Sequence, residues 1–140
     1  LVVVVLIVGI VASAAAPRYV DSLANWRVEM AARRIAADLE YARTEAEARS
    51  YSLQVDFDVG DDEYSLDGLK DLDHHDEDYQ VSLANEGYDC DITAANFAGN
   101  AEVKFDWYGQ PNNPGFVTVQ SGTHTRTVQL DSEGIVQIVP

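Results

Sequence analysis

The chain has 140 residues, 46% of them hydrophobic, and 24 Asp/Glu against 9 Lys/Arg give it a formal net charge of −15. That length suits one domain with a real core plus an appendage, and so negative a chain repels a phosphate backbone, because nucleic-acid binding relies on clustered cations. Nucleic acid is therefore excluded as a partner, and the single cysteine, Cys90, excludes both an intrachain disulfide and a thiolate metal cluster.

The charge is unevenly placed. Residues 1–50 hold six basic and six acidic side chains, whereas residues 51–140 hold Lys70, Lys104 and Arg126 against eighteen acids. The chain is therefore bipartite, with a balanced amino-terminal part and an acidic carboxyl-terminal part.

The first sixteen residues, LVVVVLIVGIVASAAA, are uncharged and almost wholly apolar. As a helix they reach roughly 24 Å, a little short of the ~30 Å hydrocarbon core of a bilayer. Three structures begin this way: a buried core helix, a cleaved secretory signal and a membrane-inserting helix. Ala12-Ser13-Ala14 and Ala14-Ala15-Ala16 would suit signal cleavage, but helical character continues well past them, and a Val-rich run without a polar residue suits a small core poorly. The uncleaved span is the expected reading, and a sequence opening on Leu1 without methionine is expected to have lost residues upstream.

Pro17 removes one helical donor and predicts a kink. Beyond it Val28, Ala32, Ile35, Leu39, Ala42 and Ala46 recur in steps of four and three, a narrow stripe expected to pack the helix on a sheet. Its small members allow close approach. Glu29/Arg33 and Glu45/Arg49 are spaced for pairing on the solvated face. The helix thus divides into an apolar segment, residues 1–22, and an amphipathic continuation, residues 23–50.

After Ser50 the period becomes two. Leu53, Val55 and Phe57 alternate with polar residues, Gly60-Asp61-Asp62 predicts a turn, and Tyr64 and Leu66 begin a returning strand. Further strands are expected at Tyr79–Leu83, Glu102–Trp107, Gly115–Gln120, Arg126–Leu130 and Ile135–Val139. Between them Asn85-Glu86-Gly87, Gly109–Gly115, Ser121-Gly122 and Ser132-Glu133-Gly134 signal turns. One long helix followed by short strands gives an α+β fold: a long amino-terminal helix packed on an antiparallel β-sheet head, residues 51–140.

The polar run Asp67–Tyr79 offers Asp71, Asp73, His75, Asp76 and Asp78 as weak metal-ligand candidates beside His74 and Glu77. Their spacing lacks the glycine and closing glutamate of an EF-hand, so a solvated acidic loop is the plainer reading. Asp56 and Asp58 read as outward-facing strand carboxylates. His124 stands alone, no serine or cysteine lies in a nucleophile motif, and phosphate-cradling glycine loops are missing. No catalytic residue, cofactor or metal is expected.

The apolar helix ending in GIVASAAAPRY, its continuation AADLEYARTEAEARS and a β-rich head close behind resemble the type IV pilin-like superfamily. More narrowly, ADLEYARTEAEARS, VDFDVGDDEYSL, VKFDWYGQP and the closing VQLDSEGIVQI look like the GspH/FimT family of minor pseudopilins and minor pilins, with residues 68–100 matching least. The resemblance implies a single-pass inner-membrane protein with a periplasmic head, later drawn into a filament. Leu1, Val5, Leu6, Val8, Ile10 and Pro17 would serve membrane insertion and assembly, with other major and minor pseudopilins, the inner membrane and secreted cargo as partners. It also implies a leader, a methylatable aromatic residue and an early glutamate, which this sequence does not include. A FimT-like minor pilin of a type IV pilus is the nearest alternative, and an exported acidic metal-binding protein with a cleaved signal is the alternative from another class.

Overall fold

The computed structural model describes all residues except Glu86, together with all side chains except those of residues 14–17. The kink expected at Pro17 and the proposed cleavage sites around Ala14–Ala16 depend on side chains outside that description.

A single helix, α1 (Val2–Arg49), runs for 48 residues, or ~72 Å at the usual helical rise. It stops where Ser50 takes the left-handed conformation at φ 53°, and the Ser50 N–H closes on the last turn's carbonyls at Ala46 and Glu47. The pairs Glu29/Arg33 and Glu45/Arg49 form at 3.0 and 2.6 Å, but not on the wholly solvated face expected of them: Glu29 also accepts from Arg126 of the head, and the Glu45 side chain is only 20% exposed.

Among the described residues eight strands follow: β1 (Leu53–Asp58), β2 (Glu63–Lys70), β3 (Asp78–Ser82), β4 (Asp91–Asn96), β5 (Glu102–Phe105), β6 (Gly115–Ser121), β7 (His124–Leu130) and β8 (Val136–Val139). They form two four-stranded sheets in the orders β3-β2-β1-β5 and β4-β6-β7-β8, with every pairing antiparallel. The architecture is α+β and pilin-like.

The first hairpin shows how local chemistry sets the fold. Asp58 Oδ1 accepts the N–H groups of Gly60 and Asp61 at 2.8 and 3.2 Å, and Asp62 takes φ 57° to complete the turn. Register then pairs Phe57 with Tyr64 and Val55 with Leu66, so all four side chains fall on one face and are buried. Asp62 Oδ1 also accepts the Ile92 N–H at 2.7 Å, tying the hairpin to β4 in the second sheet.

Sequence reading missed β4 and lengthened two other strands, β5 and β8. In Asp91–Asn96 only the adjacent Ile92 and Thr93 favour a strand, and two alanines flatten the alternation; pairing with β6 supplies the order instead. β5 ends at Phe105 rather than Trp107, because Asp106 turns the chain by accepting from Tyr108 and Gln110 N–H groups, both at 2.9 Å. β8 begins at Val136 rather than Ile135, since Asp131 Oδ1 holds the N–H groups of Glu133 and Ile135 in the preceding turn. Residues 68–100 contribute the edge strands β3 and β4 and the buried side chains Tyr79, Val81, Leu83, Cys90, Ile92 and Phe97.

One core fills the space between α1 and the two sheets. Val28, Ala31, Ala32, Ile35, Leu39, Ala42 and Ala46 supply its helical side, each no more than 1% exposed. Gly115 marks the tightest backbone approach: a β-carbon there would stand 2.3 Å from the Asn96 carbonyl oxygen and 2.4 Å from the Phe97 ring.

Candidate assembly surface

The same helix meets two environments. From Val28 onward its apolar stripe is buried in the head, whereas Leu1, Val5, Leu6, Val8 and Ile10 are all at least 60% exposed. This end of α1 is long and apolar enough to cross a membrane, and among the described residues none of the apolar window is covered by the protein itself. Roughly 25 cal/mol per Å² of apolar surface drives such a face out of water, and an exposed apolar stretch of this size marks a contact with lipid or protein.

A ladder of polar contacts fixes the stem to the head between these environments. Asp21 meets His124 Nε2 at 2.8 Å; Arg126 of β7 donates to Glu29 and Asn25, each at 3.0 Å; Arg27 meets Asp89 at 2.6 Å. The guanidinium of Arg33, and then that of Arg126, hold the Glu29 carboxyl below its ordinary range. Higher on the helix, Arg43 donates to the Gly134 carbonyl at 3.1 Å.

Asp38 is the polar centre of this attachment, and sequence reading missed it. It is 6% exposed and accepts from Tyr64 Oη at 2.5 Å, Tyr79 Oη at 2.8 Å and Arg34 Nε at 3.0 Å, joining α1 to β2 and β3. Burial, then the Asp38 charge, pushes the Tyr64 hydroxyl far above its ordinary value. Burial followed by the hydrogen bond to Asp38 pushes Tyr79 up to about 12. For Arg34, burial favours the neutral form, but the bond and charge of Asp38 outweigh it and hold the proton more tightly. The signal was positional: Asp38 lies three residues after Ile35 and four before Ala42, on the buried stripe.

The acidic loop is organised as a turn. Asp71 Oδ1 accepts the N–H groups of Asp73 and His74 at 2.7 and 2.8 Å, and these bonds hold its carboxyl below the usual range. His75 Nδ1 faces the Asp71 carbonyl, Asp78 pairs with Lys70 at 2.7 Å, and Asp73 and Asp76 are exposed. Among the described residues no group of three or more His, Cys, Asp or Glu side chains could hold a metal ion. Cys90 is buried, and burial raises its thiol to about 11, a poor nucleophile.

The family model for type II transport protein GspH matches residues 31–134, most of the chain and nearly all of the head. The chain belongs to the GspH family. Solved structures agree with that fold. The minor pseudopilin EpsH from the type II secretion system of Vibrio cholerae superposes with a TM-score of 0.63 at 12% identity, covering 82% of this chain and 97% of that one. The type IV minor pilin FimU of Pseudomonas aeruginosa gives a TM-score of 0.59 at 15% identity, covering 80% and 92%. No curated protein sequence matches significantly. This GspH-family chain therefore joins a pilin-like fold to a hydrophobic amino-terminal helix consistent with a membrane anchor.

Proposed function

We propose that this chain is a minor pseudopilin of a type II secretion system, similar to the H-type subunit, standing at or near the tip of a short periplasmic filament. It acts by assembly. The observation that carries this reading is the division of α1, exposed and apolar from Leu1 to Val11 but buried against the head from Val28. In the precursor the exposed segment spans the inner membrane once, leaving the head in the periplasm. In the filament it packs among the helices of major and minor pseudopilins, exchanging lipid for protein contacts of similar apolarity.

The description of the matching family as a type II transport protein supports secretion over a pilus role. Eighteen acids against three bases in residues 51–140 argue against the DNA-uptake branch of the pilus alternative. The acidic head meets other minor subunits or secreted cargo.

Site-directed cross-linking tests the reading. Cysteines introduced at Val5 and Val8 in the full-length chain are expected to trap disulfides with cysteine-bearing pseudopilins of the same cell only while the secretion system assembles. Cross-links to type IV pilins instead, or none in assembling cells, would overturn it.

A further inference from the structure

We propose that the free edge of β8 is a docking site for an extended, cation-bearing segment of another protein chain, which adds a strand to the β4-β6-β7-β8 sheet. The inference concerns the head and stands whether the chain serves secretion or a pilus.

The four edge strands differ in how they are protected. β3 carries Asp78, flanks the acidic loop and has a register shift against β2; β4 carries Asp91 and has a register shift against β6. β5 is closed by its own loop: the Lys104 N–H donates to Asn112 Oδ1 at 3.0 Å, the Asn112 N–H returns to the Lys104 carbonyl at 2.8 Å, and Phe105 bridges to Pro111. Bulges, charges and covering loops are the ordinary means of blocking edge pairing. β8, Val136-Gln137-Ile138-Val139, has none of them: it is uncharged and its register with β7 is regular from Leu130↔Val136 to Thr127↔Val139.

The hydrogen-bond phase identifies the unpaired groups. The Asp131 N–H donates to the Ile135 carbonyl at 3.1 Å, so Ile135, Gln137 and Val139 take the bonded positions toward β7. Alternation in an antiparallel ladder then turns the N–H and C=O groups of Val136 and Ile138 outward. Among the described residues, no turn, loop or side-chain hydrogen bond reaches those groups. Two donors and two acceptors at strand spacing complement the main chain of another extended segment.

The surroundings define that segment further. A groove of about 310 Å³ lies between α1 and the start of β8, lined by Glu40, Arg43, Thr44 and Glu47 on the helix and by Gly134–Val136 opposite. Glu40 and Glu47 are exposed, while Arg43 is engaged by the Gly134 carbonyl and by Glu47. A segment with Lys or Arg toward the helix and small apolar side chains between them is matched in both backbone and charge. A second copy is the poorer occupant, because each copy carries a net charge of −15.

Amide hydrogen exchange on the full-length chain in detergent micelles tests the proposal, using a short peptide of alternating valine and lysine as probe. At saturation the Val136 and Ile138 amides should exchange at least about tenfold more slowly, as expected of newly hydrogen-bonded groups. A peptide of the same charge, N-methylated along one edge, should give no such protection. Protection confined to β3 or β4, equal protection by the methylated peptide, or no protection would overturn the proposal. So would protection that appears without peptide as the protein concentration rises, which would identify a second copy as the occupant.

Discussion

Replacing Asp38 with alanine should loosen the stem from the head while leaving the helix itself intact. Three hydrogen bonds converge on this carboxylate, at 2.5, 2.8 and 3.0 Å, from a buried tyrosine hydroxyl, a second tyrosine hydroxyl and a guanidinium. Bonds to a charged acceptor are worth about 1.5–3 kcal/mol each, but these share one acceptor and do not add. Removing one member of a buried ion pair costs about 3–5 kcal/mol. The Arg34 side chain is 36% exposed and regains water when its partner is lost, which places Asp38→Ala at the lower end, about 3 kcal/mol. Urea unfolding of the full-length chain in micelles, followed by tryptophan fluorescence, measures this directly. Tyr64→Phe should cost less in the Asp38→Ala background than in the native one, because its hydroxyl there has no acceptor to lose. A loss below about 1 kcal/mol for Asp38→Ala, or an equal Tyr64→Phe cost in both backgrounds, would refute the reasoning.

Other consequences are equally open to measurement. Gly115→Ala drives a β-carbon into the Asn96 carbonyl and the Phe97 ring, so thermal unfolding should show a loss of about 3 kcal/mol. Tyr79 has its folded value raised from 10.0 to about 12. Its contribution is therefore whole below pH 10 and disappears as pH rises through about 12, and Tyr79→Phe should flatten the stability profile in that window. Raising salt from low to physiological ionic strength should raise the melting temperature of the head. Its self-repulsion at a net charge of −15 is relieved by screening, while exposed pairs such as Arg27–Asp89 each give up only about 0–1 kcal/mol.

Much of this fold was legible because it rests on period. The four-and-three spacing of α1 and the two-residue alternation of β1 are direct records of which side chains face the core. The boundaries were less so, since Asp106 and Asp131 end elements through side-chain bonds to backbone N–H groups that no hydropathy pattern carries. β4 was invisible for another reason: Ala94 and Ala95 hold strand conformation through pairing with β6, a long-range contact, rather than through their own preference. Asp38 was not singled out among the helical charges. Its place on the buried stripe between Ile35 and Ala42, and its tertiary partners Tyr64 and Tyr79, distinguish it from the solvated acids beside it. The acidic loop drew attention as a ligand set, yet the Asp71 carboxylate is occupied by the loop's own backbone.

The role proposed for this GspH-family chain is that of an assembly subunit in protein export. Deleting the chain and measuring the enzymes that reach the medium tests that proposal most directly. Export should be lost, with the enzymes retained in the periplasm, and should return when the full-length chain is supplied. Unimpaired export after deletion would contradict the account.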